Sequence, residues 1–340
     1  MSLEYNHIPV MLEKVNHILT PYKPGLYIDC TFGGGGYSKK ILQSKNTQVL
    51  ALDRDISVRP LAQKIKSQYE DRFEFSHSKF SNLSEVLDKS SFKNKNPVAV
   101  IFDLGLSSFQ IDNPERGFSY KLNGKLSMEM GINNLNAEKI INNFSEEYLK
   151  NLFQIFGEDK DAKLIAKLIV QKREQELIKT TEDLSKIIMR AKIYKNKKFQ
   201  KDICAKVFQS IRMVVNQEFS EIFKGLSSAI EKLSIDGKII VVTFHSIEDR
   251  LVKKIFDLLS NTNKNSSRYI PKKSNDTEQI LKLDKKKFFI ADDSEVKNNS
   301  RSRSAKLRYA TKHHNFSNNL FNESTVFKKY FDLENLAYAN

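Results

Sequence analysis

Tyr27-Ile28-Asp29-Cys30-Thr31-Phe32-Gly33-Gly34-Gly35-Gly36-Tyr37-Ser38 joins an apolar run to four consecutive glycines and then to a stretch that reads as helix. A strand therefore feeds a glycine loop. Glycine tolerates positive φ and has no Cβ, so backbone here can pass close against a flat or charged ligand while the following helix offers unpaired N–H groups. The pattern predicts a cofactor cradle.

The spacing narrows the cofactor. A dinucleotide fingerprint needs a third glycine three residues after the second, and starting from Gly33 or Gly34 that position holds Ser38 or Lys39. Instead the chain has Asp29-x-x-x-Gly33-x-Gly35, and Asp53 closes the next apolar run, Val49-Leu50-Ala51-Leu52. An acid at the end of a second strand is placed to accept hydrogen bonds from ribose hydroxyls. Loop and acid together resemble the S-adenosylmethionine site of class I methyltransferases.

Outward from this stretch, strand and helix signals alternate. Leu26–Asp29, Gln48–Leu52, Phe73–Phe75 and Val98–Phe102 read as strands separated by helix-compatible segments. Such alternation predicts an α/β fold with a doubly wound, mostly parallel sheet, whose ligands gather at the carboxyl ends of the strands. Asp29, Asp53 and Asp103 each follow an apolar run and should converge there.

From about Asn113 to Gln209 the strand signals stop. Ala137–Phe156 has helical spacing of apolar residues, Leu164, Ile165, Leu168 and Ile169 repeat it, and Thr180-x-x-Asp183 has the form of a capping box. The expected organisation is a methyltransferase-like domain, 1–112 with 210–310, interrupted by a helical substrate-recognition domain, 113–209. Within that block Tyr194–Gln200 reads as a flexible loop. Sheet pattern resumes at Lys238–Phe244 and ends at His245-Ser246-Ile247-Glu248-Asp249-Arg250. Residues 261–280 are polar and lysine-rich and read as a loop, and Lys287–Ala291 and Ala305–Ala310 read as shorter strands. A tail, 311–340, carries Phe316, Leu320, Phe321, Phe327, Tyr330 and Phe331 and is expected to dock weakly.

The chain has 340 residues, 56 Lys plus Arg against 41 Asp plus Glu, and a formal charge of +15, a field that favours polyanions and nucleic acid first. Cys30 and Cys204 are far apart in sequence, which suggests neither a disulfide framework nor a CxxC metal site. His, Cys and acidic residues show no metal-ligand spacing. No apolar run approaches a membrane span and the N-terminus lacks a leader pattern, so a soluble cytoplasmic protein with no membrane partner is expected.

Several stretches converge on one family. Asp29–Ser38, Asp103-Leu104-Gly105-Leu106-Ser107-Ser108-Phe109-Gln110, Glu115-Arg116-Gly117-Phe118-Ser119, Val242–Arg250 and Ser302-Arg303-Ser304-Ala305-Lys306-Leu307-Arg308 resemble the bacterial 16S ribosomal RNA (cytosine-N4)-methyltransferase family. The resemblance runs from about Tyr5 to Ala310. It implies S-adenosylmethionine as cofactor, 16S ribosomal RNA or the small subunit as partner, and methylation of cytidine N4 in the decoding region. By that resemblance the cofactor contacts are expected on Gly33, Gly34, Gly35, Gly36, Tyr37, Asp53, Phe80, Asp103 and Gln110, with Asp53 toward ribose, Phe80 toward adenine and Asp103 toward the sulfonium end.

Three departures stand out. Tyr37 replaces the histidine usual in the family, Ser127-Met128-Glu129-Met130 replaces Asp-Met-Arg-Met, and Asp202-Ile203-Cys204 replaces His-Pro-Ala before Phe208-Gln209. The last two lie around the expected RNA side.

Cytosine N4 is a poor nucleophile, so the enzyme must align it behind the methyl group and accept hydrogen bonds from its amino protons. Asp103, Ser107 and His245 are the catalytic candidates, and the general base stays open. The base must also leave its stack. Arg116, Lys206, Arg212, Arg301, Arg303, Lys306 and Arg308 are candidate cations for the RNA backbone. A nicotinamide oxidoreductase would share the sheet and Asp53 but not the loop spacing, and a non-enzymatic RNA-binding factor would leave the loop unexplained. Monomer and homodimer both remain open.

Overall fold

A computed structural model describes residues 9–191, 197–260, 279–284, 288–316 and 327–339, with only the backbone described at 108 and 197–203. The stretches Met1–His7 and 261–278, residues 192–196, Lys287, Leu320 and Phe321 lie outside the described residues, as do the side chains of Lys197, Lys198 and Lys201.

The strands are β1 (Gly25–Asp29), β2 (Thr47–Asp53), β3 (Phe73–His77), β4 (Ala99–Asp103), β5 (Lys238–Thr243), β6 (Leu281–Leu283), β7 (Phe289–Ile290) and β8 (Lys306–Lys312). The α-helices are α1 (Leu12–Leu19), α2 (Gly36–Leu42), α3 (Arg59–Tyr69), α4 (Leu83–Lys89), α5 (Ser108–Asp112), α6 (Ala137–Asn143), α7 (Glu146–Ile155), α8 (Ala162–Arg173), α9 (Thr181–Ala191), α10 (Lys197–Val215), α11 (Glu218–Lys232), α12 (Ser246–Leu259), α13 (Asp293–Asn298) and α14 (Lys328–Ala339). The chain divides into two units, Met1–Gly105 with Ile222–Phe321, and Leu106–Glu221 with Asn322–Asn340.

The first unit is built on one sheet in the order β3-β2-β1-β4-β5-β8-β6, with β7 also paired to β8. β1 through β5 run parallel, and β8 is antiparallel to β5, β6 and β7. Leu26–Ile28, Val49–Leu52, Ala99–Phe102 and Ile239–Val242 are all buried. Unbroken apolar runs of this kind are what a sheet covered on both faces requires. Strand order reverses at β1, which has β2 on one side and β4 on the other. Reversal opens a crevice beyond the carboxyl ends of β1 and β4, the place where open α/β sheets bind ligands.

The second unit is helical. Thr180 and Asp183 exchange hydrogen bonds at the start of α9: the Thr180 oxygen accepts from Asp183 N at 3.1 Å and the Asp183 carboxylate from Thr180 N at 3.3 Å. Ala137–Phe156 is two helices, not the single period read from sequence, because the Ser145 hydroxyl caps a new start by accepting from Tyr148 N at 3.1 Å. α10 already begins at Lys197, inside the stretch expected to be a loop.

The tail corrects a further expectation. α14 packs on α7 and α10 of the second unit, with Tyr330 stacked on Phe219 at 4.5 Å. Glu334 is fully buried and accepts from the backbone of Phe219 and Ser220, both at 2.9 Å, supplying the cap that the first turn of α11 needs. Docking is therefore built from buried polar and aromatic contacts.

Candidate active site

The glycine loop takes the shape its composition permits. Gly33 and Gly35 have φ of 48° and 71°, and a Cβ on Gly35 would fall 2.8 Å from Ile65 Cδ1 and 2.9 Å from the Phe32 ring. Gly33 and Gly34 form the turn, and α2 starts at Gly36. At Gly35 the backbone thus occupies space no side chain can share, and at Gly33 the positive φ is what favours glycine.

Asp29 and Asp53, the last residues of β1 and β2, hold this loop. Asp29 accepts from Ser38 Oγ at 2.7 Å and Thr31 N at 3.3 Å; Asp53 accepts from Gly33 N and Asp55 N, both at 2.8 Å. Burial pushes each carboxyl up to about 6, against the hydrogen bonds that favour its charged form. Thr31 Oγ1 in turn accepts from Asp103 N at 2.7 Å, tying the end of β4 to the loop.

Asp103 is the most strained electrostatically. Burial first, then the charges of Asp29, Glu248 and Glu295, push its carboxyl well above the usual carboxylate range. Its Oδ1 is covered and has no hydrogen-bond partner among the described residues. Gly105, two residues on with φ of 109°, lets the chain turn against Phe244, whose ring lies 3.0 Å from the position a Cβ would take.

Tyr37 is buried, and its hydroxyl donates to the Val10 carbonyl. Phe80 is half-buried, edge-on to Phe102 at 5.5 Å, and sits against Gly225, where a Cβ would fall 2.5 Å from its ring. Phe102 and Gly225 thus back the Phe80 ring while part of it stays open.

The caps account for three candidates. His245 is the N-cap of α12, accepting from Glu248 N at 3.4 Å, while its Nε2 lies 3.0 Å from the Glu248 carboxylate. In the second unit, Ser107 and Gln110 form a capping box at α5, and Gln110 Nε2 reaches Met130 O at 3.5 Å. All three side chains have local structural partners.

The profile of the MraW methylase family matches residues 4–313. The chain belongs to the MraW methylase family. Curated proteins similar to this MraW-family chain include three named ribosomal RNA small subunit methyltransferase H. One, from Wolbachia pipientis subsp. Culex pipiens (strain wPip), is 39% identical over 303 residues, covering 89% of this chain and 97% of the relative. Another, from Orientia tsutsugamushi (strain Boryong), is 39% identical over 309 residues, covering 90% and 98%. A third, from Rickettsia bellii (strain RML369-C), is 38% identical over 317 residues, covering 91% and 100%. S-adenosylmethionine is the methyl donor of this MraW family, and the unshared space at Gly35 and the strand-end acids fit such a group.

For a MraW-family chain that must meet RNA, two of the candidate cations need correction. Arg308 is buried and clamped by Asp249, its Nε at 2.7 Å from Oδ1, and Arg212 is held bidentately by Glu218 at 2.7 Å. A buried, paired guanidinium is not offered to a phosphate. Lys306 shares Asp249 at 3.1 Å but stays half-exposed, and Arg116 donates to Glu129 O at 2.9 Å. Lys206 and Arg303 are exposed, and Arg301 is half-buried. Among the described residues no helix is long and apolar enough to cross a membrane.

Pro9, Val10, Glu295 and Gly225 escaped the sequence reading. Each acts through contact with a residue distant in the chain, for which local spacing carries no signal.

Proposed function

We propose that this methylase transfers the methyl group of S-adenosylmethionine to the exocyclic N4 of a cytidine in the decoding region of small-subunit ribosomal RNA. The observation that carries the reading is the convergence of Asp29, Asp53 and Asp103 at the ends of β1, β2 and β4 around a loop in which Gly35 and Gly36 leave no room for a Cβ. The names of the relatives support the RNA class, and the motif resemblance supports N4 and the decoding region.

When bound, the cofactor supplies an electrophilic methyl group. Asp53, whose carboxylate already organises Gly33, is the residue for the ribose hydroxyls, and the half-buried Phe80 ring is the surface for adenine. Asp103 stands beside the loop with a covered oxygen available to a cation or an amino group. A covalent route to a ring carbon needs a reactive thiolate. Cys30 and Cys204 are both buried, and burial and the Asp29 charge push the Cys30 thiol well up, which favours direct transfer to nitrogen.

Exposed Lys206 and Arg303, with a chain charge of +15, suit backbone phosphates. Incubation with labelled S-adenosylmethionine and small subunits, followed by mass spectrometry of the nucleosides, should yield N4-methylcytidine. A C5-methylated product, or none, would overturn the reading.

A further inference from the structure

The outer strands of the first unit divide their side chains between two faces. Phe289 pairs in register with Leu307 and Ile290 with Lys306. Side chains alternate along a strand, so Phe288 and Ile290 share a face with Lys306 and Arg308, and Phe289 shares the other with Leu307 and Tyr309. The contacts agree with this parity. Phe289 stacks on Tyr309 at 6.0 Å and packs against the core, whereas the Lys306 ammonium and the Arg308 guanidinium lie 5.4 and 5.3 Å from the centre of the Phe288 ring. Asp249 of α12 holds both cations. The ring is therefore anchored by cation–π contacts, yet 38% of Phe288 and 63% of Ile290 remain exposed. Exposed apolar side chains that lie together and are rimmed by charge mark interaction sites.

Register also fixes where this face stands. Asp103 pairs with Val242, Val242 with Leu307 and Leu307 with Phe289, one row across β4, β5, β8 and β7. Three strand spacings put β7 roughly 14 Å from the end of β4 along that row. Phe288 and Ile290 thus lie at the same carboxyl edge of the sheet as the strand-end acids. The charge around them is basic: Lys306 has 39% of its side chain exposed, Arg303 is exposed three residues earlier, and Lys253 is exposed one turn after Asp249 on α12. Nearby acids are engaged elsewhere. Asp284 accepts from the Tyr309 hydroxyl on the opposite face, Asp292 caps α13 by accepting from Glu295 N at 2.8 Å, and Glu295 accepts from Met11 N at 2.5 Å. Cations for phosphates beside an open π-surface for bases are what a single-stranded nucleic acid requires.

We propose that Phe288 is a stacking platform for an unpaired nucleobase of the substrate RNA, with Lys306 and Arg303 holding the flanking phosphates. This rests on the RNA reading above and adds to it a base-binding position separate from the residues assigned to the cofactor. Stacking tolerates every base, so the platform sets the path of the strand past the carboxyl edge and not its sequence.

The chain contains no tryptophan, so Phe288→Trp in the full-length protein places a single indole on the platform. A short single-stranded oligocytidylate and an RNA duplex of equal length are the probes, each brought to the same occupancy as read by anisotropy of a labelled strand. The single strand should quench the indole and the duplex should not. Phe288→Leu keeps an apolar cover over the Asp249 clamp but removes the π-surface. It should bind the single strand about tenfold more weakly, with melting temperature and S-adenosylmethionine affinity unchanged. Equal quenching by both probes, or none with the strand bound, would overturn the proposal. Wild-type RNA affinity in Phe288→Leu would overturn it too: a lowered melting temperature would then assign the ring to shielding the clamp, and a loss of self-association in sedimentation would assign the face to a second copy of the chain. Methylation of small subunits by the wild type is scored in parallel. If that yields no N4-methylcytidine while the single strand still quenches, the N4 reading fails and the platform stands; if the wild type binds neither RNA, both fall.

Discussion

Gly36 and Pro9 share one space: a Cβ added to the glycine would lie 2.0 Å from Cγ of the proline and 2.5 Å from Cδ. Proline has a rigid ring and cannot rotate away, so the first turn of α2 or the segment around Pro9 must shift. Gly36→Ala should lower S-adenosylmethionine affinity by about tenfold or more, since about 1.4 kcal/mol of misplacement suffices for that factor. Adding Pro9→Ala, which removes Cγ and Cδ, should recover part of the loss. Calorimetry on the single and double variants checks both; a full-affinity Gly36→Ala would show that the segment around Pro9 yields freely.

Asp53→Ala removes the acceptor for Gly33 N and Asp55 N. Losing hydrogen bonds to a charged group costs about 1.5 to 3 kcal/mol each, so cofactor affinity should fall roughly tenfold to a hundredfold while circular dichroism stays unchanged. Unchanged affinity in a folded variant would remove Asp53 from the ribose.

Arg308 and Arg303 are close in sequence and should behave differently. Arg308 is buried against Asp249, whose carboxyl is held below its usual range by Arg308 and Lys306 although burial opposes this. Asp249→Ala leaves a buried cation unpaired and should cost about 3 to 5 kcal/mol in thermal or denaturant unfolding. Arg303 is exposed. Arg303→Ala should leave stability unchanged, weaken RNA binding, and reduce the salt slope by about one. Binding measured across a salt series distinguishes the two classes.

Glu334 gives a pH dependence of known sign. Burial raises its carboxyl from 4.5 to about 8, against the bonds from Ser220 and Phe219. The folded state therefore holds a proton that the unfolded chain releases near 4.5. This group's contribution to stability is full below that value and declines as pH rises to about 8. Glu334→Gln should flatten the melting temperature between pH 5 and 8, and Glu334→Ala, which orphans two N–H groups, should destabilise by about 2 kcal/mol or more. A wild-type melt that rises across this window with no change in Glu334→Gln would refute the assignment.

The sheet was readable because β1, β2, β4 and β5 are buried on both faces and appear as unbroken apolar runs, each closed by a polar residue or turn. Asp29, Asp53 and Asp103 inherit that legibility. β6, three residues long, pairs with β8 and had no run to show. Ser145 was hidden inside a helical period that continues on either side of it, and only its cap reveals the break. Arg308 and Arg303 look alike as letters; what distinguishes them is Asp249, far back in the chain. Glu295 and Pro9 are beyond local reading for the same reason. The mutual effect of the strand-end acids needed their burial, which spacing alone does not supply.

The interleaving of the two units along the chain has a consequence for biosynthesis. β8 enters the sheet between β5 and β6 from residues 306–312, and α14 supplies the α11 cap from residue 334. Neither unit is encoded as one uninterrupted segment. Domains usually fold in turn as they emerge during translation. Here the sheet lacks β8 until residues 306–312 have left the ribosome and α11 lacks its cap until residue 334 has, so nascent chains must hold an unfinished sheet edge and an uncapped helix until then. A nascent chain cut short before residue 306 would carry both defects at once.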